Sequence, residues 1–206
     1  MDNLMVMAPD GSTIAPQNMM RGRYRSTFDV HRTREGTYKI VNASSGLSAS
    51  YMLDGEQKRW RGTAAEFANG LPAGATDIVA STTANRMEAF VTLGAPTDTV
   101  FTPTGEGLEM MPMTHPNDAV VGEASTFKLM KDGQPASNME ITVARSGARY
   151  RDNPEDMTLT TDADGQFSIT WPEPGMYWIN ASVRTEAEGE TLASSAQYTG
   201  IVEVLL

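Results

Sequence analysis

Along residues 167–171 the chain alternates. Phe167, Ile169 and Trp171 are apolar, and Ser168 and Thr170 between them are polar. A two-residue period is that of a half-buried strand. The turn residues Pro172-Glu173-Pro174-Gly175 follow, and Tyr177 and Ile179 then begin a second strand on one face. The same pattern stands earlier in the chain. Phe28, Val30, Gly36, Tyr38 and Ile40 correspond to Phe167, Ile169, Gly175, Tyr177 and Ile179, always at an offset of 139 (167 − 28, for example). A constant offset over five positions predicts an internal repeat.

Gly-x-Tyr-x-apolar has a structural use. In immunoglobulin-like sandwiches a Tyr near the start of strand F returns its hydroxyl to the backbone upstream, and a core residue follows two positions later. Here Ile40 and Ile179 take that core position. The pattern therefore predicts an all-β protein of two immunoglobulin-like or transthyretin-like β-sandwich modules in tandem, residues 1–98 and 99–206.

The second module reads as about seven strands. Residues 107–115, 124–135, 138–147 and 195–206 carry strand patterns, and residues 157–170 read as a hairpin around Asp164-Gly165. In the first module, residues 3–11 match the 138–147 strand, with Met5 and Met7 read as core positions. Nothing precedes them to match residues 105–131, so the internal alignment predicts about two strands missing before Met1. A sandwich so shortened would expose an edge and invite self-association. The first module also carries an insertion. Thr63 and Glu66 form a capping-box pattern, and Gly70 and Pro72 a stop, which predicts one short helix. A hairpin of 76–82 with 87–93 follows, and 94–107 reads as the linker.

Composition narrows the function classes. The chain has 206 residues, 40% hydrophobic and 20% charged, an ordinary globular balance. Its formal net charge of −10 argues against a nucleic-acid partner, whose phosphates such a surface repels. Two basic runs, residues 21–25 and 58–62, read as solvated strand edges or turns. No apolar run is long enough to span a bilayer. With no cysteine, thiolate metal sites, disulfides and cysteine nucleophiles are excluded.

Candidate chemistry is sparse. There are two histidines, His31 and His115, and no nucleophile-elbow, Walker or zincin pattern, so the chain reads as non-enzymatic. His115 is the best single metal candidate, with Glu109 and Asp118 nearby in sequence. Imidazole with carboxylates suits nickel, cobalt or zinc. The simpler and preferred reading makes Thr114-His115-Pro116 a strand end and turn. His31 is expected to face solvent, because Phe28 and Val30 take the inner face. It completes a ligand set of His115, Glu109, Asp118 and His31 only if the fold brings it close. The Met110–Met113 run offers thioethers suited to Cu(I), with core packing preferred. Residues 162–165 resemble the start of a calcium loop but lack the downstream Glu, so a turn is preferred.

Longer stretches carry a resemblance. "GLEMMPMTHPNDAVVGE" (107–123), "KDGQPASNMEITV" (131–143), "RYRD" (149–152), "TTDADGQFSITWPEPGMYWINA" (160–181) and "QKRWRG" (57–62) resemble a bacterial family of secreted proteins of unknown function, often labelled periplasmic component of a cobalt or nickel transport system. The resemblance covers nearly the whole chain. It implies a periplasmic location and a non-enzymatic binding or accessory role linked to cobalt or nickel uptake, with a divalent metal and an envelope or transporter protein as partners. Family members usually carry a His-containing segment near the mature N-terminus, which this sequence lacks. An alternative reading is an envelope module that binds a protein or a glycan, with no metal role.

Overall fold

The structure is a computed structural model, and it describes residues 3–153, 155–189 and 191–206. It is an all-β, sandwich-like arrangement of sheets with one short α-helix, as the pattern predicts. The strands are β1 (Leu4–Met7), β2 (Thr13–Ile14), β3 (Gln17–Arg21), β4 (Ser26–Asp29), β5 (Gly36–Leu53), β6 (Glu56–Gly62), β7 (Thr76–Leu93), β8 (Leu108–Pro112), β9 (Ala124–Lys131), β10 (Gln134–Pro135), β11 (Glu140–Arg145), β12 (Met157–Thr160), β13 (Gln166–Thr170), β14 (Gly175–Thr185) and β15 (Ala193–Val204). The helix α1 (Ala64–Ala68) lies between β6 and β7. Its capping box is present: the Glu66 N–H donates to the Thr63 hydroxyl and the Thr63 N–H to the Glu66 carboxylate. No helix among the described residues is long and apolar enough to cross a membrane.

One large sheet runs through both halves, in the order β12-β11-β14-β15-β7-β5-β1-β2, with β6 also on β5. The repeat is visible in its pairing. Val6 faces Ile40 and Tyr38 faces Val91, just as Val143 faces Ile179 and Tyr177 faces Val202. So β1-β5-β7 and β11-β14-β15 are two copies of one antiparallel unit. They join edge to edge, β15 running parallel to β7 from Ala193↔Ser81 to Ile201↔Ala89. Each copy thereby covers an edge strand that would otherwise offer unpaired backbone groups.

Both tyrosine corners form. The Tyr38 hydroxyl donates to the Arg34 carbonyl at 2.9 Å, and the Tyr177 hydroxyl to the Glu173 carbonyl at 2.8 Å. The glycine two residues earlier has φ +124° at Gly36 and +132° at Gly175, a conformation side chains rarely adopt, which explains the Gly of the motif.

In the C-terminal half a second sheet packs on the first. There β9 pairs with β8, β10 and β13. The two layers enclose one core of buried residues, including Phe127, Leu129, Ile141, Ile169, Trp171, Ile179 and Val202. The buried Trp171 indole N–H donates to the Ser125 hydroxyl at 2.8 Å, so its one polar group is satisfied. In the N-terminal half the second layer shrinks to the β3–β4 hairpin. Two small clusters remain there, Val6-Ala8-Tyr38 and Leu47-Ala49-Ala80, the latter packed against Trp60 and Phe67 of β6 and α1.

Three expectations are corrected. Residues 76–93 are one continuous strand, not a hairpin of 76–82 with 87–93. The segment 83–86 lacks Gly or Pro, and β5 and β15 flank it with pairing partners on both sides. Residues 157–170 are not a hairpin either: β12 pairs with β11 in the large sheet and β13 with β9 in the small one. The intervening turn is held by Asp162, whose carboxylate accepts the N–H groups of Asp164 and Gln166, and Gly165 there approaches the Leu129 carbonyl too closely for a side chain. Finally, Met5 and Met7 are not core positions of β1. Val6 is fully buried and Met5 is 42% exposed. The apolar run Leu4-Met5-Val6-Met7 carries no parity signal, so packing alone selected the face.

Candidate functional site

The structure does not gather His115, Glu109, Asp118 and His31 into one group. Among the described residues no cluster of three or more His, Asp or Glu side chains could hold a metal ion. His31 is exposed, as expected, and so is Asp118. His115 is the N-cap of a short 3-10 turn, Pro116–Asp118, at the end of the segment after β8.

Both ring nitrogens of His115 are engaged. The Asn117 N–H donates to Nδ1 at 3.1 Å, so the hydrogen-bond pattern assigns the proton to Nε2, which donates to the Thr37 hydroxyl at 2.8 Å. The Thr37 hydroxyl lies 3.0 Å from that of Thr92, and Thr92 donates to the Asn117 carboxamide at 2.7 Å, so that with the Asn117 main-chain N–H a ring of four residues closes. The imidazole also meets the Phe101 ring edge-on at 5.3 Å, and Phe101 meets Phe90 in the same way. His115 thus ties the C-terminal half to β5 and β7. In this tautomer it is a donor to Thr37, not a base for it, and Thr37 is wholly buried.

Glu109 belongs to a different arrangement. One carboxylate oxygen accepts from the Thr104 N–H and hydroxyl at 2.9 and 2.8 Å and lies 3.3 Å from Arg86. The other accepts from the Gly105 N–H at 2.7 Å. Arg86 continues to Glu88 at 3.3 Å, and Lys39 lies 3.6 Å from the same Glu88 oxygen. The Tyr198 hydroxyl donates to the other Glu88 oxygen at 3.1 Å. Two cations and two anions, from β5, β7 and β8, are therefore buried together where the two halves meet. Mutual pairing is what makes such burial tolerable.

The titration behaviour follows from this geometry. Burial pushes the Glu109 carboxyl up, but the hydrogen bonds from Thr104 and Gly105 and the Arg86 charge outweigh it and hold the group below its ordinary range. Burial raises the Tyr198 phenol well above its ordinary value, and the charge and hydrogen-bond acceptance of Glu88 raise it further.

A groove opens beside this network. On β5, Lys39, Val41, Ala43 and Ser45 alternate onto one face, and on β7 the cross-strand partners of Val41, Ala43 and Ser45 are Glu88, Arg86 and Ala84. Met5 and Met7 of β1 flank one end, and the chain at 104–108 forms the facing wall around a cavity of about 340 Å³. A neighbouring cavity of about 420 Å³ shares Ser45, Ala84, Glu106 and Gly107 with it and runs on toward Ser194 and Ser195 of β15. Together they make one groove across β1, β5, β7 and β15. Its size suits a small ligand.

The sequence reading missed Lys39, Arg86 and Glu88. Their signal was present but weak: Lys39 sits between Tyr38 and Ile40, and Arg86 and Glu88 share the parity of inward-facing Phe90. A charge at an inward strand position marks a buried pair or a site. The reading of 76–93 as a hairpin hid that parity.

Of the methionines, Met110 enters the core while Met113 is 63% exposed, so the run does not converge its thioethers on one point.

No curated protein matches the chain at a significant level. The family described as a domain of unknown function, DUF4198, matches residues 1–185. With nine-tenths of its length inside that match, the chain belongs to the DUF4198 family.

Proposed function

We propose that this is a periplasmic, non-enzymatic binding or accessory protein whose recognition surface is the groove across β1, β5, β7 and β15. The supporting observation is a contrast in engagement. The groups with the most chemical potential, His115 and Glu109, spend their polar atoms on bonds within the fold. The groove presents side chains and open volume instead. The resemblance noted above makes cobalt or nickel uptake the process such a protein serves, through contact with an envelope or transporter protein. The second reading, an envelope protein or glycan interaction module without any metal role, draws on the same groove, whose β15 end is rich in hydroxyl side chains such as Ser45, Thr82 and Ser194.

Thermal unfolding with Ni²⁺, Co²⁺, Cu²⁺, Zn²⁺ and Ca²⁺, against a chelated control, tests the reading. A metal at 100 times its dissociation constant adds about 2.7 kcal/mol and moves a domain of this size by about 5–10 °C. The expected result is no metal-selective shift. A nickel- or cobalt-selective rise that is lost in His115→Ala would replace the groove reading with direct metal carriage.

A further inference from the structure

Lys39 stands apart from the rest of the buried network. The residue is 4% exposed and lines the groove at its β1 end. Among the described residues its ammonium makes no hydrogen bond; its one ion pair, with Glu88, is 3.6 Å long. The reason lies in its neighbours. The Glu88 oxygen nearest Lys39 is also shared with Arg86, and the other accepts from Tyr198. Glu109 is filled by Thr104, Gly105 and Arg86. The network is balanced in charge, and Lys39 is the cation in it whose N–H groups make no hydrogen bond, whereas Arg86 donates to Glu88 and Thr104. The ammonium opens onto the groove, and an anionic oxygen placed there forms a charge-assisted hydrogen bond with it. The cavity it lines carries apolar Met5, Met7, Val41 and Leu108 together with charged Arg86 and Glu106.

We propose that the β1 end of the groove binds a small monocarboxylate, its carboxylate on Lys39 and its apolar body against Met5, Met7 and Val41. Three features favour this occupant. A monocarboxylate supplies the missing acceptors on one small group. Glu88 keeps Arg86 and Tyr198 as partners when Lys39 turns to the ligand. The volume of about 340 Å³ lies at the small end of ligand pockets and suits one compact body. Such a carboxylate could belong to a free organic acid or to the C-terminus of an apolar peptide. This inference deepens the groove reading and rests on it.

The test is titration calorimetry of the full chain with sodium hexanoate, hexanamide, acetyl-Leu-Leu acid and acetyl-Leu-Leu amide. Hexanoate is expected to saturate, with hexanamide at least about tenfold weaker, a difference of about 1.4 kcal/mol. Tighter binding of the dipeptide acid than of hexanoate would assign the site to peptide C-termini, and the reverse to free acids; both support a carboxylate site. Lys39→Met should weaken hexanoate binding about tenfold or more. Met5→Glu, at an exposed position, places a carboxylate at the mouth and should do the same, so it decides the matter if Lys39→Met fails to fold. Equal binding of hexanoate and hexanamide, undiminished binding in Met5→Glu, or no saturation by any acid would each overturn the carboxylate site. The wider accessory reading is judged separately, by the metal titration above.

Discussion

Ile179 and Ile40 hold the same place in the two copies of the repeat, yet Ile179 is 1% exposed and Ile40 only half-buried. The strands around them are alike. What differs is the layer above. In the C-terminal half β8, β9, β10 and β13 cover the sheet and enclose one large core. In the N-terminal half the β3–β4 hairpin covers the Ile40 face and α1 the opposite one, and each cluster there has three buried residues. Burial of apolar area is the main favourable term in folding. The C-terminal half therefore supplies most of the stability. The N-terminal half is held by its edge-to-edge join to β15, by the His115 ring and by the buried charges.

The largest predicted effect is at the join. Arg86→Met leaves Glu88 and Glu109 buried without their shared cation and should cost about 3–5 kcal/mol in urea unfolding. The same network gives a pH dependence. The Glu109 carboxyl titrates below its unfolded-state value of about 4.5, so its contribution is present above that pH and is lost as pH falls through the depressed folded value. Glu109→Gln should be less stable than the native chain at pH 7, and the gap should close as the pH falls through the depressed folded value. A gap that stays constant over that range would mean that Glu109 acts by shape and not by charge.

Next comes the pair that defines the comparison. Ile179→Ala should cost about 2–5 kcal/mol and Ile40→Ala about half as much, because the partly covered site loses less and collapses more easily. Equal losses would show that the thin layer protects the N-terminal half better than its burial indicates.

The smallest effect concerns the corners. Tyr177→Phe should cost about 0.5–1.5 kcal/mol. Tyr38→Phe should cost more, since the Tyr38 hydroxyl also accepts the Arg34 N–H at 2.9 Å and two bonds are lost. The reverse order would show that the second hydrogen bond at Tyr38 adds no stability.

Much of this was present in the residue pattern. Alternation and turn chemistry are local, and they marked the strands of the C-terminal half, the capping box at Thr63 and Glu66, and both tyrosine corners. The repeat was readable because equivalent local structures need equivalent residues, Gly for its φ and Tyr for its reach. Partnership is not local. Whether 83–86 turns or runs straight depended on β5 and β15 lying on either side, and whether β12 and β13 pair depended on which sheet each joined. The parity of Met5 and Val6 was set by the layer above them. The candidate site was decided largely in the same way: His115 and Glu109 were visible as polar residues near one another in sequence, but tertiary contacts with Thr37 and Arg86, together with local bonds to Asn117 and Thr104, absorbed them. Lys39, hidden between two apolar neighbours, was left with donors to spare. A sequence sets what each residue can donate, accept or bury; only the packed structure decides which of those capacities remain unspent.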